Sequence, residues 1–229
     1  MTSALHILNI IYMDSDAKML FDHIPLQSPG PSTDEFPVKL VAKVNFPTKY
    51  GQFELYGYNE KGTRNVHTVM VMGDIEGSSE CPVRVHSECH TGDVLGSLRC
   101  DCGEQLEASL HYIAQQGKGV LIYLKQEGRG IGLLNKLRAY SLQDEGLDTV
   151  DANEFLGFPA EARDYKAGAA IIRELGIRSV VLLTNNPDKV EKLSKEGISI
   201  ARREPVVIQP NRHNRFYLET KKLRMGHIY

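Results

Sequence analysis

Residues 103–124, "GEQLEASLHYIAQQGKGVLIYL", decide the fold class. Leu106, Leu110, Ile113 and Ala114 recur at helical spacing on one face, and Gly117 is suited to end that helix. From Gly119 onward "GVLIYL" is apolar without interruption, the pattern of a strand buried on both faces. A helix that feeds a fully buried strand is an α/β unit.

The alternation continues downstream. "LLNKLRAYSLQDEG" (133–146) reads as a helix ending at Gly146, and "AGAAIIRELG" (167–176) as another ending at Gly176. "SVVLLT" (179–184) is a buried strand. In "NNPDKVEKLSKEG" (185–197) Asn186 is suited to cap a helix, with Pro187 at its first position. "ISIARREP" (198–205) is a last strand, and the tail from His213 reads as helical. Upstream, "VKLVAKVNF" (38–46), "QFELYGYN" (52–59), "VHTVMVMGD" (66–74) and "VRVHSEC" (83–89) predict strands, and antiparallel ones. The expected architecture is a single mixed α/β domain over residues 37–229, with a β-rich N-terminal half and βα units in the C-terminal half.

Residues 1–36 read as an N-terminal extension. "LHILNIIYM" (5–13) is followed by "PLQSPGPSTDEFP" (25–37), whose Pro, Ser and Gly content predicts a partly flexible linker. The start has no basic region and no small-residue cleavage site, so a signal peptide is not expected. No apolar run is long enough to span a bilayer. A cytoplasmic location with reduced thiols is expected, and no membrane partner. The formal net charge of −2 over 229 residues also argues against a nucleic-acid partner.

The chemistry begins with "SECHTGDVLGSLRCDC" (87–102), which puts Cys89, Cys100 and Cys102 within fourteen residues. Three thiolates at this spacing can converge on one ion, and among cytosolic metals they favour zinc. Three protein ligands leave a fourth position open, the arrangement of a catalytic site. A fourth thiolate from Cys81 would instead close a structural one. Cys81 sits beside Pro82 and reads as a bystander. His90 alternates with Cys89 and reads as a neighbour of the site, not a ligand.

Other stretches suggest anion sites. "KQEGRGIGLLNK" (125–136) runs from a strand through Gly128, Gly130 and Gly132 into a helix, and Arg129 adds a fork of donors for phosphate. It matches neither of the common phosphate-loop patterns, and such a turn is often only a turn. In "LLTNNPDK" (182–189), Thr184 and Lys189 lie where a buried strand ends and a helix begins, the usual ligand position in open α/β sheets. "FPAEARDYKAG" (158–168) carries Glu161, Arg163 and Asp164, which also fit a helix start with acidic residues in its first turn. Tyr140 fits a helix-borne core aromatic equally well. Together these stretches describe a zinc hydrolase acting on a phosphorylated small molecule.

"RVHSECHTGDVLGSLRCDCGEQL", "QEGRGIGLLNKLRAYSLQDEG", "LGFPAEARDY" and "LLTNNPDKV", in that order, resemble GTP cyclohydrolase II over roughly residues 38–229. The resemblance implies a homodimeric α/β enzyme that uses zinc and magnesium. It would convert GTP to 2,5-diamino-6-(5-phosphoribosylamino)pyrimidin-4(3H)-one, formate and pyrophosphate, at the start of riboflavin synthesis. It implies Cys89, Cys100 and Cys102 as zinc ligands. Arg84, Val85, His86, Ser87, Glu88, Gln105, Glu127, Gly128, Arg129, Thr149, Thr184 and Lys189 match GTP-contacting positions. Tyr140 matches a tyrosine near the reacting imidazole ring. Arg163 matches a residue assigned as nucleophile towards the α-phosphate, and Glu161 stands where the family has an Asp as proton acceptor. Two alternatives remain at this point: a related cyclohydrolase that stops at a formamidopyrimidine, and a non-catalytic nucleotide-binding module stabilised by zinc.

Overall fold

A computed structural model describes residues 37–159 and 162–228. One seven-stranded mixed sheet organises them, with strand order β1-β2-β3-β5-β4-β6-β7. Strands β1 (Val38–Thr48), β2 (Gly51–Glu60) and β3 (Val66–Met72) form an antiparallel meander. β5 (Gly119–Leu124) joins β3 antiparallel and β4 (Cys81–Ser87) parallel. β6 (Val180–Leu183) pairs parallel with β4, and β7 (Ile200–Glu204) parallel with β6.

The mixed α/β class is as expected, but β4 corrects one expectation. It was grouped with the antiparallel strands, and it pairs parallel on both sides. Its alternation is real, with Val83 and Val85 entering one core and Arg84 and His86 facing the other way. The polar face is also covered, so the strand is buried from Cys81 to His86. Alternation that usually marks a half-solvated antiparallel strand here marks a functional face.

Helices cover both faces. α1 (Cys102–Gln116) lays Leu110 and Ile113 on Phe53 and Leu121. On the opposite face, α4 (Lys166–Glu174) contributes Ala169, Ala170, Ile171 and Ile172, and α5 (Pro187–Lys195) contributes Leu193. These pack against Val69, Val83, Val85, Val120, Ile122 and Leu182. Each fully buried Val, Leu or Ile contributes about 1.5–3 kcal/mol relative to exposure, so the two layers fix the sheet firmly. Between β5 and α4 lie α2 (Leu133–Asp144) and α3 (Thr149–Phe155), and the chain ends in α6 (Arg215–Met225). The sequence reading did not foresee α3. Asp148 caps it by accepting bonds from the backbone N–H groups of Val150 and Asp151 at 2.7 and 2.9 Å.

The chain runs from β4 through α1 to β5 on one side of β4. It then crosses to β6 on the other side. The carboxyl ends of β5, β4 and β6 therefore flank a topological switch point, where open α/β sheets form ligand crevices. Among the described residues, no helix is long and apolar enough to cross a membrane.

Candidate active site

A cleft of about 1000 Å³, partly continuous with solvent, opens at those carboxyl ends. Every residue that the resemblance matched to a metal-binding, GTP-contacting or catalytic position lines it except Val85 and Glu161. The Val85 side chain is buried in the core, and only its carbonyl takes part, accepting a bond from Lys189 Nζ at 2.5 Å. Glu161 lies outside the described residues.

The thiols come together. Cys89 follows β4, Cys102 opens α1, and Cys100 lies between them on the covering loop. Their three sulfur atoms lie within 4.8 Å of one another, with Cys89 Sγ and Cys100 Sγ 3.7 Å apart. The cluster leaves no room for a side chain at Gly92. A Cβ there would sit 2.9 Å from Cys100 Sγ and 3.2 Å from Cys89 Sγ. Cys89 is the first thiol to ionise, because Cys100 and Cys102 hydrogen-bond to it and the Lys136 ammonium stands beside it. The hydrogen bonding among the three thiols and their burial push Cys102 up and hold Cys100 at about 11. Three close sulfurs that resist shared ionisation fit a soft dication, whose charge relieves that repulsion. Cys81 takes no part. It lies in the core, and burial raises its thiol to about 11. A four-thiolate structural site is therefore not formed. His90 is not part of the cluster either, and its backbone N–H donates to Glu127 Oε2 at 2.5 Å.

Buried polar groups hold the cluster. The Asp93 carboxylate accepts the Cys89 N–H at 2.9 Å and the Tyr123 hydroxyl at 2.8 Å, and pairs with His86 Nε2 at 3.1 Å. Asp101, between two of the thiols, accepts Gln105 Nε2 at 2.5 Å and Lys221 Nζ at 2.9 Å. Burial alone would raise Asp101, but Lys221 and Gln105 outweigh it and hold its carboxyl below the usual range. Gln105 Oε1 accepts from Arg84 at 2.7 Å, and Arg84 also donates to Leu183 O at 2.9 Å. Lys136 Nζ bridges Cys89 Sγ at 3.1 Å and Glu127 Oε1 at 2.8 Å.

Cationic groups line the same cleft as the thiols. The turn Glu127–Gly130 places Arg129 at φ 61°, ψ 32°, a left-handed conformation that costs a non-glycine residue about 1–2 kcal/mol. Gly130, at φ 92°, lets this turn approach the next segment. A Cβ there would lie 3.1 Å from Ala162 O. Arg129 and Arg163 thus share one cleft. Lys189, in the first turn of α5, is 5% exposed and lies 5.2 Å from the Tyr165 ring centre. Thr184 directly follows β6, and Thr149 begins α3. Tyr140 lies on α2 with its ring 4.5 Å from the Arg99 guanidinium, and burial raises its hydroxyl. It faces the cleft; it is not a core aromatic.

Sequence reasoning missed several residues. Asp93, Asp101, Tyr123 and Lys136 support the cluster, and Tyr217, Lys221 and His227 of the C-terminal tail line the cleft. "TGD" after Cys89 and "DC" before Gly103 were visible, but nothing local marked the lysines.

A family profile described as GTP cyclohydrolase II matches residues 39–205. A Picrophilus torridus protein named GTP cyclohydrolase-2 is 50% identical over 192 residues, which is 84% of this chain and all of the relative. A Salmonella typhimurium protein of the same name is 53% identical over 191 residues, covering 83% and 97% of the two chains. Among solved structures, the two-domain 3,4-dihydroxy-2-butanone 4-phosphate synthase RibBX from A. baumannii is 25% identical, covering 77% of this chain and 42% of that one. Its TM-score of 0.42 is too low to bear on the fold. By the profile match and the two close relatives, this chain is an enzyme of the GTP cyclohydrolase II family.

Proposed function

We propose that the chain hydrolyses GTP to 2,5-diamino-6-(5-phosphoribosylamino)pyrimidin-4(3H)-one, formate and pyrophosphate, the first step of riboflavin synthesis. One observation carries the reading. The three-thiol cluster opens into the same cleft as Arg129, Arg163 and Lys189, which supports a metal site sharing that cleft with groups suited to polyphosphate. The reading takes residues 37–229 as the catalytic unit, acting as a homodimer with magnesium on the triphosphate.

Cys89, Cys100 and Cys102 would hold zinc, which supplies Lewis acidity and activates water near neutral pH. Two carbon–nitrogen bonds at C8 of guanine and one phosphoanhydride bond are cleaved. Each takes up one water, so GTP and three waters balance the three products. Tyr140, on the cleft wall near the thiols, orients the imidazole ring. Burial raises the pKa of its hydroxyl, which favours hydrogen-bond donation over a role as base. Arg129 and Lys189 place fixed positive charge where phosphate charge develops. Lys189 is buried and bonded to Val85 O, so it need not reorganise during reaction. Arg163 stands in the same cleft and would meet the α-phosphate. A guanidinium stays protonated up to about pH 12, so electrostatic stabilisation is the simpler role and nucleophilic attack needs Glu161 to take its proton.

Mass spectrometry of GTP incubated with zinc- and magnesium-replete protein, with formate assay, tests this. The expected result is diaminopyrimidine nucleotide with one formate and one pyrophosphate per GTP. A formamidopyrimidine as end product, or no turnover of GTP, would overturn it.

A further inference from the structure

Lys136 is buried on α2, in the wall of the cleft. Its side chain is 11% exposed and that of its partner Glu127 9% exposed. A buried ion pair is a poor stabiliser compared with apolar groups of the same size, so stability does not account for it. Its geometry points elsewhere. Lys136 Nζ donates to Cys89 Sγ at 3.1 Å and to Glu127 Oε1 at 2.8 Å. Glu127 is fixed in turn by the backbone N–H groups of His90, at 2.5 Å, and Gly128, at 2.6 Å. A chain of bonds thus runs from two backbone amides through a carboxylate and an ammonium to one thiolate.

Charge gives the contact a purpose. Three thiolates around a dication leave a net charge of −1, whereas three imidazoles leave +2. The extra electron density weakens the ion as a Lewis acid. An N–H donor on a thiolate withdraws some of that density and fixes the direction of its remaining lone pairs.

We propose that Lys136 is a positioning residue of the metal centre. Its ammonium orients the Cys89 thiolate and offsets part of the charge that three thiolates place on the ion. This rests on the reading above that the cluster binds zinc, but not on the identity of the substrate.

Cobalt(II) substitution tests it without turnover. Protein loaded with cobalt shows a sulfur-to-cobalt charge-transfer band whose energy rises when the sulfur is hydrogen-bonded to a cation. Lys136→Met and Lys136→Gln are expected to shift that band to longer wavelength or to lose cobalt uptake. Lys136→Arg, which keeps charge and donors, should stay near the wild type. In the zinc enzyme the Met variant should lose about 10- to 100-fold in kcat, the range for partners of metal ligands, with KM for GTP little changed. A wild-type band in the Met or Gln variant, or an Arg variant as perturbed as the Met variant, would overturn the proposal. Wild-type protein that takes up no cobalt is a different result, and it would sink the metal reading itself.

Discussion

Strands β1–β3 and β4–β7 share one sheet, yet every cleft-lining residue comes from the second set or from segments that follow it. The difference lies in direction. Antiparallel neighbours end at alternate edges, so their loops are divided between both. Parallel β4, β5 and β6 end at one edge, and the segments after them deliver Cys89, Glu127–Gly130 and Thr184–Lys189 to one place. The front strands serve the site indirectly, by flanking the sheet and packing under its helices.

The sharpest test of this division is Cys100→Ser. It removes a ligand from the rear edge and should cost more than the roughly 100-fold typical of ligand partners. Metal analysis and formate release check it together. Lys189→Met comes next. Loss of a fixed cation from the polyphosphate side should lower kcat/KM about 100-fold while bound zinc stays unchanged. Val69→Ala, in the middle of β3 and fully buried, should destabilise by roughly 2 kcal/mol in urea unfolding. It should leave kcat of the folded enzyme unchanged. A tenfold fall in kcat there would break the division between scaffold and site.

The smallest effect concerns His67 on β3, whose Nδ1 accepts the Lys125 N–H at 3.1 Å. Burial lowers its pKa from 6.5, with Glu60 3.6 Å from Nε2 and Asp164 opposing weakly. The unfolded chain therefore takes up this proton first as pH falls. The contribution of His67 to stability is intact above about pH 6.5 and declines below it. His67→Gln should flatten the loss of stability on acidification, measured as denaturant midpoint against pH. Burial shifts His86 the same way, so some slope should persist.

Period and punctuation made most of the fold legible. The Leu106–Leu110–Ile113 stripe, the unbroken "GVLIYL" and the Asn186–Pro187 cap each named their element. Pairing direction was not legible, since nothing within "VRVHSEC" says which way its neighbours run. α3 escaped because its seven residues carry too little periodicity, although Asp148 was a usable cap signal. The thiols were legible because eleven- and two-residue spacings suit one ion. Lys136 and Lys221 were not, because they meet Cys89 and Asp101 across 47 and 120 residues of chain. Arg129 was read as a phosphate donor on a glycine turn, but its own left-handed backbone could not be seen in the residue type.

X-ray absorption at the zinc edge tests the central claim most directly. The prediction is one zinc per chain with three sulfur neighbours at about 2.3 Å and one lighter atom. Four sulfurs would make the centre structural, and folded, active protein without zinc would contradict the account altogether.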